Sequence, residues 1–298
     1  MDSSNCIDSV VNEVTQQATA TSAALPEKPI VVIQPRRSWE FFNLRELWQY
    51  RELLYFLAWR DVKVRYKQAF FGIAWAILQP LFLMLIFTLF YARFTKIETG
   101  SVPYPLFAYA GLTLWTFFSG AVSTSANSVV NNANLITKVY FPRVIVPAAS
   151  VLGSLVDFVV ASVLLIGMMA FYGVGLSWKI PFVLLFIVLT TLFAFGVGTW
   201  LSALNVRYRD IRFAVPFLMQ VWLFVSSIVV PSSTIGPTWR KVLLLNPMSA
   251  FVEGWRASLF GEPFDIYAIS VGAVITLAVL AVALFEFRRT EKSFADVI

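Results

Sequence analysis

The chain contains no histidine and a single cysteine, Cys6, in 298 residues. The first absence excludes histidine acid–base chemistry and histidine metal ligands. The second excludes an intrachain disulfide and a Cys/His metal cage. Charge is also scarce. Asp, Glu, Lys and Arg make up 13% of the chain, against about 25% in a soluble domain. No phosphate loop of the form GxxxxGK followed by Ser or Thr occurs, so this chain is not expected to hold ATP in that way. No paired carboxylates sit in an apolar stretch, and no unit repeats at a period of about 20–50 residues. The N-terminus lacks a basic start followed by an apolar run. No cleavable signal peptide is therefore expected, and the apolar segments must drive insertion themselves. A conduit is a better expectation than an enzyme.

What the chain has in excess is apolar: 58% of residues are hydrophobic and 16% aromatic. That composition defines an integral membrane protein. The net charge of +6 does not argue for nucleic acid, because the position of the cations matters more than their sum.

Residues 1–38 are polar, with Ser, Thr, Gln and Pro interspersed, and read as a cytosolic tail. Residues 43–66 read NLRELWQYRELLYFLAWRDVKVRY. Asn43 with Glu46 three positions later resembles a capping box. Leu47, Tyr50, Leu54 and Leu57 recur at helical spacing, among Arg45, Arg51, Arg60, Lys63 and Arg65. The segment is too charged to span and suits a helix in the interface plane, with its basic side chains toward lipid phosphates.

Six stretches are long and apolar enough to cross, since about 20 residues span the hydrocarbon core. They lie at about 69–91, 105–127, 147–172, 181–204, 213–230 and 266–285. Each is expected to be helical, because lipid offers no partner to open backbone groups. With a cytosolic tail, 17 of the 23 Lys and Arg residues fall on the inside and 6 on the outside. Both termini are therefore expected in the cytosol.

Three features stand out inside this frame. Residues 134–147, NLITKVYFPRVIVP, interrupt two spans on the inside. Leu135, Ile136, Val139 and Tyr140 give a short helix an apolar face, Pro142 cannot continue it, and Pro147 suits the first turn of the next span. The external segment 231–265 contains Val242–Leu245, a break at Asn246-Pro247, then Met248, Phe251, Trp255 and Leu259 at helical spacing. Two short helices joined there are expected to dip into the outer leaflet and return, enclosed by protein or water. Asp157 is the ionisable residue clearly inside a span, roughly 15 Å past Pro147 at helical rise. No Lys or Arg in another span is placed to pair with it. A gate residue and an internally hydrogen-bonded packing residue are both open readings.

The aromatic residues mostly sit at span ends, as interfacial Trp and Tyr do. Phe71, Trp75 and Phe82 in the first span, and Trp222 and Phe224 in the fifth, lie deeper. Rings of this kind stack on the apolar faces of sugars, and equally well pack against lipid or a core.

Four stretches carry a family resemblance: LAWRDVKVRYKQAFFGIAWAILQP (57–80), KVYFPRVIVP (138–147), LNVRYRDIRFAVPF (204–217) and LLLNPMSAFVEGWRASLFG (243–261). In their order and spacing they resemble the membrane subunit of polysaccharide-exporting ABC transporters, the exporters of O-antigen, capsule and teichoic acid. The resemblance covers about residues 39–298. It implies an all-α bacterial inner-membrane permease, with six spans, an interface helix at 43–66 and a re-entrant external hairpin before the last span.

It further implies a homodimer enclosing a channel, and two copies of a separate ATPase that bind ATP and Mg. The permease itself would hold no cofactor. A coupling helix at about 131–146 would present Lys138, Val139, Tyr140, Phe141, Pro142 and Arg143 to the ATPase. A gate hairpin at about 239–261 would include Asn246, Pro247, Phe251, Glu253 and Trp255. The first and fifth spans would line the path of an undecaprenyl-linked or similar lipid-linked polymer. Two rival readings are a type-2 exporter of a drug or small lipid, and a membrane-embedded glycan polymerase or ligase. The last would need acceptor-activating groups in the segment 231–265, which offers Glu253, Glu262 and Asp265 but no histidine.

Overall fold

A computed structural model describes residues 48–67, 72–94, 102–229, 243 and 245–291. The tail at 1–38, residues 43–47 of the expected interface helix, Phe71, and most of 239–244 in the external hairpin lie outside these. Among the described residues the chain is helical and has no strand.

The first helix, α1, runs Arg51–Lys67. A 3-10 turn at Gly72–Ala74 leads into α2, Trp75–Phe94. Next come α3, Tyr104–Asn131, and the short α4, Ala133–Lys138. The long α5 and α6 cover Ile145–Phe171 and Phe182–Arg207. They are followed by α7, Ile211–Val225, α8, Pro247–Phe260, and α9, Ile266–Glu291. Five stretches are long and apolar enough to cross a membrane: Gly72–Phe90 and the helices α3, α5, α6 and α9.

The expected fifth span at 213–230 is realised only in part. Its helix, α7, has 15 residues, or roughly 22 Å at helical rise, short of the roughly 30 Å hydrocarbon core. The helix stops where Ser226 turns to extended backbone. The chain nevertheless stays buried from Ser226 to Val229. Pro216 lies inside α7 and removes one backbone hydrogen bond from it.

The central helix is α3. It packs along α5 and α6 and also touches α2, α7 and α8. It is the least apolar of the five spans and the most enclosed, and α2 is the least enclosed. That inversion has a physical reason. Lipid is as apolar as leucine, so helices in a bilayer associate through close packing and interhelical polar contacts, and small residues permit the approach. The lower half of α3, SGAVSTSANSVVN, is made of such residues. At Gly198 of α6 an added Cβ would lie 2.6 Å from the Ser125 side chain of α3, so the two backbones meet with nothing between them. Higher up, Phe118 of α3 stacks on Phe193 of α6 with ring centres 5.3 Å apart.

On the far side α9 covers α6 and α8. The short helix α1 lies along α5. Asp61 meets Ser150 and Arg65 meets Asp157, so the contact advances along α5 as α1 proceeds. Its outer face carries Trp48, Tyr55, Phe56 and Trp59 with Arg51 and Lys63, the amphipathic mixture that suits a headgroup layer.

Candidate functional site

The loop between α3 and α5 is fastened at both ends. Asn132, between α3 and α4, accepts from the Arg60 guanidinium of α1 at 2.6 Å. Arg60 also grips Asp61 at 2.7 Å, which fixes the direction of its planar fork. At the other end the Arg143 amide donates to Glu291 Oε1 of α9 at 3.2 Å, and the Arg143 guanidinium donates to the Glu291 carbonyl. Between these clamps the loop divides by side-chain direction. Ile136 and Phe141 point inward and pack with Leu57, Val144, Ile145 and Phe287. Lys138, Val139 and Tyr140 point out, and Tyr140 is 82% exposed.

The helix is shorter than the segment 131–146 suggests. It ends at Lys138 because Val139 is already extended, three residues before Pro142. Pro147 falls in the first turn of α5, which starts at Ile145. Phe141 is 4% exposed, so its ring seats the loop from within, and the outward surface belongs to Lys138, Val139 and Tyr140.

The outer segment is built around Asn246 and α8. Asn246 caps α8 by accepting from the Met248 amide at 3.1 Å, with Pro247 at the first helical position. The same Oδ1 accepts from the Trp222 indole of α7 at 3.1 Å, and Nδ2 donates to Ser226 Oγ at 2.8 Å. One amide side chain thus starts α8 and fixes the end of α7. Gly261, left-handed at φ 84°, closes the helix as a non-glycine residue would not without strain. Met248, Phe251, Trp255 and Leu259 are all buried, and α8 packs on α3, α6 and α9. It is therefore enclosed by protein and does not rest on a headgroup layer. Phe251 and Trp255 are core side chains there, with the Trp255 indole donating to the Ala110 carbonyl at 3.0 Å. Glu253 is half-buried, and its Oε1 has no hydrogen-bond partner.

The expected path aromatics do not converge. Trp75, Phe82 and Phe224 are exposed on the surface of the chain. Trp222 instead sits edge-on against Phe118 and Phe193, at 5.3 and 5.8 Å. It belongs to a ring cluster inside the protein.

Two basic residues escaped the reading of the sequence. Asp157 does have a charged partner: Arg65 Nη1 of α1 donates to its Oδ2. A search restricted to other spans could not find it, because Arg65 lies on the helix assigned to the interface. The second is Arg256 of α8, which is 1% exposed. Its guanidinium donates to the carbonyls of Phe107, Ser227 and Ile228. The signal was a lone cation in the otherwise apolar run FVEGWRASLF.

The Arg65–Asp157 pair should behave as a unit. Both side chains are about a third exposed, which weakens the attraction by solvent screening. Asp157→Asn or Arg65→Met alone leaves one charge without its counter-ion, and the double variant removes both. A double-mutant cycle on thermal unfolding in detergent should give a coupling of about 1 kcal/mol. Strictly additive losses would show that the two side chains do not act together.

Several apolar spanning helices, a clamped loop at one end and an enclosed helix at the other define a multi-span α-helical membrane protein. The chain belongs to the ABC-2 type transporter family, whose model matches residues 52–260. It is 31% identical over 261 residues to the O-antigen export system permease protein of Myxococcus xanthus, covering 86% of this chain and 98% of that one. An O-antigen export system permease protein of Klebsiella pneumoniae is 26% identical over 251 residues, covering 83% and 95%. A polysialic acid transport protein of Escherichia coli is 22% identical over 238 residues, covering 78% and 92%.

Proposed function

We propose that this chain is the permease of an ATP-driven exporter that carries a lipid-linked polysaccharide, such as O-antigen or capsule, across the bacterial inner membrane. Two copies would enclose the channel, with both termini in the cytosol. Two copies of a separate ATPase would bind ATP and Mg, and this chain would hold neither. In this reading residues 1–38 form a cytosolic tail and residues 39–298 form the permease domain.

The observation that carries the proposal is the inside loop. Tyr140 stands out from a loop whose two ends are tied to α1 and α9. A push on that tip cannot be absorbed by loop flexing and passes to the spans. Family membership and the names of the relatives support the assignment of polymer as cargo. On the outer side, α8 would form one limb of the gate.

The test is deletion of the gene and complementation with the full chain. The expected result is a surface polymer that disappears, accumulates inside the cell and returns on complementation. An unchanged surface polymer would overturn the reading. A lost small lipid or drug efflux in its place would favour the type-2 exporter alternative.

A further inference from the structure

From Val225 to Val229 every backbone carbonyl meets a hydrogen-bond donor, whereas the Ser227 hydroxyl has none among the described residues. Once α7 ends, these carbonyls have no helical partner, and the residues from Ser226 to Val229 are buried away from water. A buried carbonyl left unpaired is expensive, so each needs a donor. The Val225 carbonyl faces Asn246 Nδ2 at 3.5 Å, and the Ser226 carbonyl accepts from the Ile228 amide at 2.7 Å. The Ser227 carbonyl accepts from Arg256 Nη1 at 2.8 Å, and the Ile228 carbonyl from Arg256 Nη2. The Val229 carbonyl accepts from the Tyr104 hydroxyl at 3.2 Å. The Ser227 amide, in turn, donates to Ser249 Oγ at 3.3 Å. Apart from the one local turn, every partner is a side chain of α3, of α8 or of the cap that begins α8.

Arg256 is the centre of this set. Its third bond, from Nε, reaches back to the Phe107 carbonyl of α3 at 3.1 Å, and its guanidinium lies over the Phe107 ring at 3.6 Å. One planar fork therefore joins three elements: the end of α7, α3 and α8. Gly111 makes room for it, because a Cβ at that position would run into the guanidinium. No carboxylate is within salt-bridge distance of it among the described residues. Glu253, one turn earlier on α8, acts on it from a distance. A charge held by carbonyl dipoles alone is directional. It keeps its stability only while all three acceptors stay in place.

We propose that Arg256 is a positioning residue that latches the outer gate: it fastens the non-helical end of α7 and α8 to α3 in the closed arrangement, and these bonds must release for the gate to open. The inference rests on the reading of the chain as a permease whose outer segment is the gate. Lysine cannot replace this arginine, since its single ammonium group cannot reach three carbonyls set out for a fork. Loss of one or two charge-assisted bonds shifts a closed–open equilibrium by about ten- to a hundredfold.

The test uses the full-length chain, reconstituted into vesicles of phosphatidylethanolamine and phosphatidylglycerol loaded with carboxyfluorescein, without ATP. Wild type should retain the dye. Arg256→Lys and Gly111→Ala should release it about tenfold faster or more from the monodisperse, folded fraction, whatever the shift in thermal midpoint. A merely structural role would move the midpoint and leave release unchanged in the folded fraction. Arg256→Lys or Gly111→Ala that folds and holds dye as wild type does would overturn the latch. If neither variant folds, Tyr104→Phe and Ser249→Ala decide, each removing one bond to the same stretch: faster release supports the latch and two tight variants overturn it. The two claims fail separately. A wild-type chain that does not restore surface polymer in the deletion strain refutes the exporter reading, whereas export restored alongside a tight Arg256→Lys refutes the latch.

Discussion

Tyr140→Ala should abolish polymer export while the chain still folds and its partner still hydrolyses ATP. Phe141→Ala, one residue away, should instead deplete the folded protein. The two side chains leave the same loop in opposite directions. The Tyr140 ring is 82% exposed, and its removal empties no cavity, so the stability change should stay within about 0.5 kcal/mol. On the exporter reading, what it would lose is a contact with the ATPase. An exposed aromatic on a loop clamped at both ends is the kind of residue that dominates an interface, at about 2 kcal/mol or more when truncated. That corresponds to docking weakened about thirtyfold. The Phe141 ring packs against Ile136, Leu57 and Phe287. Its loss leaves a void that costs about 3–5 kcal/mol, a large share of the 5–15 kcal/mol of a typical fold. Reconstituted permease with its ATPase, assayed for both ATP hydrolysis and polymer movement, separates the cases. Wild-type export by Tyr140→Ala would make α4 a connector and not a docking element.

The sequence alone did not separate Tyr140 from Phe141, and the reason applies to much of the site. Both are aromatic, and on so short a helix periodicity cannot say which side faces the core. The four long spans α3, α5, α6 and α9 were legible because an apolar run must become a helix in lipid. Their ends shifted by only a few residues from expectation, with the largest extension at Glu291 of α9. The fifth span was less legible. The run 213–230 is apolar apart from Gln220 and the pair Ser226-Ser227, and two serines alone do not compel a helix to stop at Val225. The stop depends on Arg256, Asn246 and Tyr104, which are 21 to 125 residues away from the carbonyls they satisfy. The pair Arg65–Asp157 is separated by 92 positions, and its two members sat in segments given different depths. The aromatics illustrate a further limit. Trp222 and Phe224 are two residues apart on one helix, yet one ring is edge-on in a core cluster and the other is exposed. Residue type alone assigns both to the same role.

Gly254→Leu should leave almost no folded permease, and shortening Phe186 in the same chain should recover part of it. Gly254 lies in the middle of α8, where glycine costs about 1 kcal/mol of helix stability relative to alanine. Propensity therefore favours replacement, and the packing decides against it. A Cβ built at Gly254 runs into the Phe186 ring of α6. That ring is 1% exposed and rests on Phe264 with centres 6.0 Å apart, so it has no free space to swing into. Overpacking of this sort costs about 1–3 kcal/mol for a small addition. For Gly254→Ala the two terms partly offset each other, and the net loss should be about 0–2 kcal/mol. Leucine adds three more carbons to the same collision with no further gain in propensity. In a bilayer the penalty is hard to evade, because α6 and α8 are held by close fit and have no water to expel. Phe186→Ala removes the obstructing ring. The double variant Gly254→Leu with Phe186→Ala should then yield more detergent-stable protein than Gly254→Leu alone, a non-additive result that only direct contact explains. The measurement is the monodisperse fraction on size exclusion together with the thermal midpoint. Wild-type yield from Gly254→Leu would mean that α8 does not press on α6, and the enclosed outer helix would have to be abandoned with it.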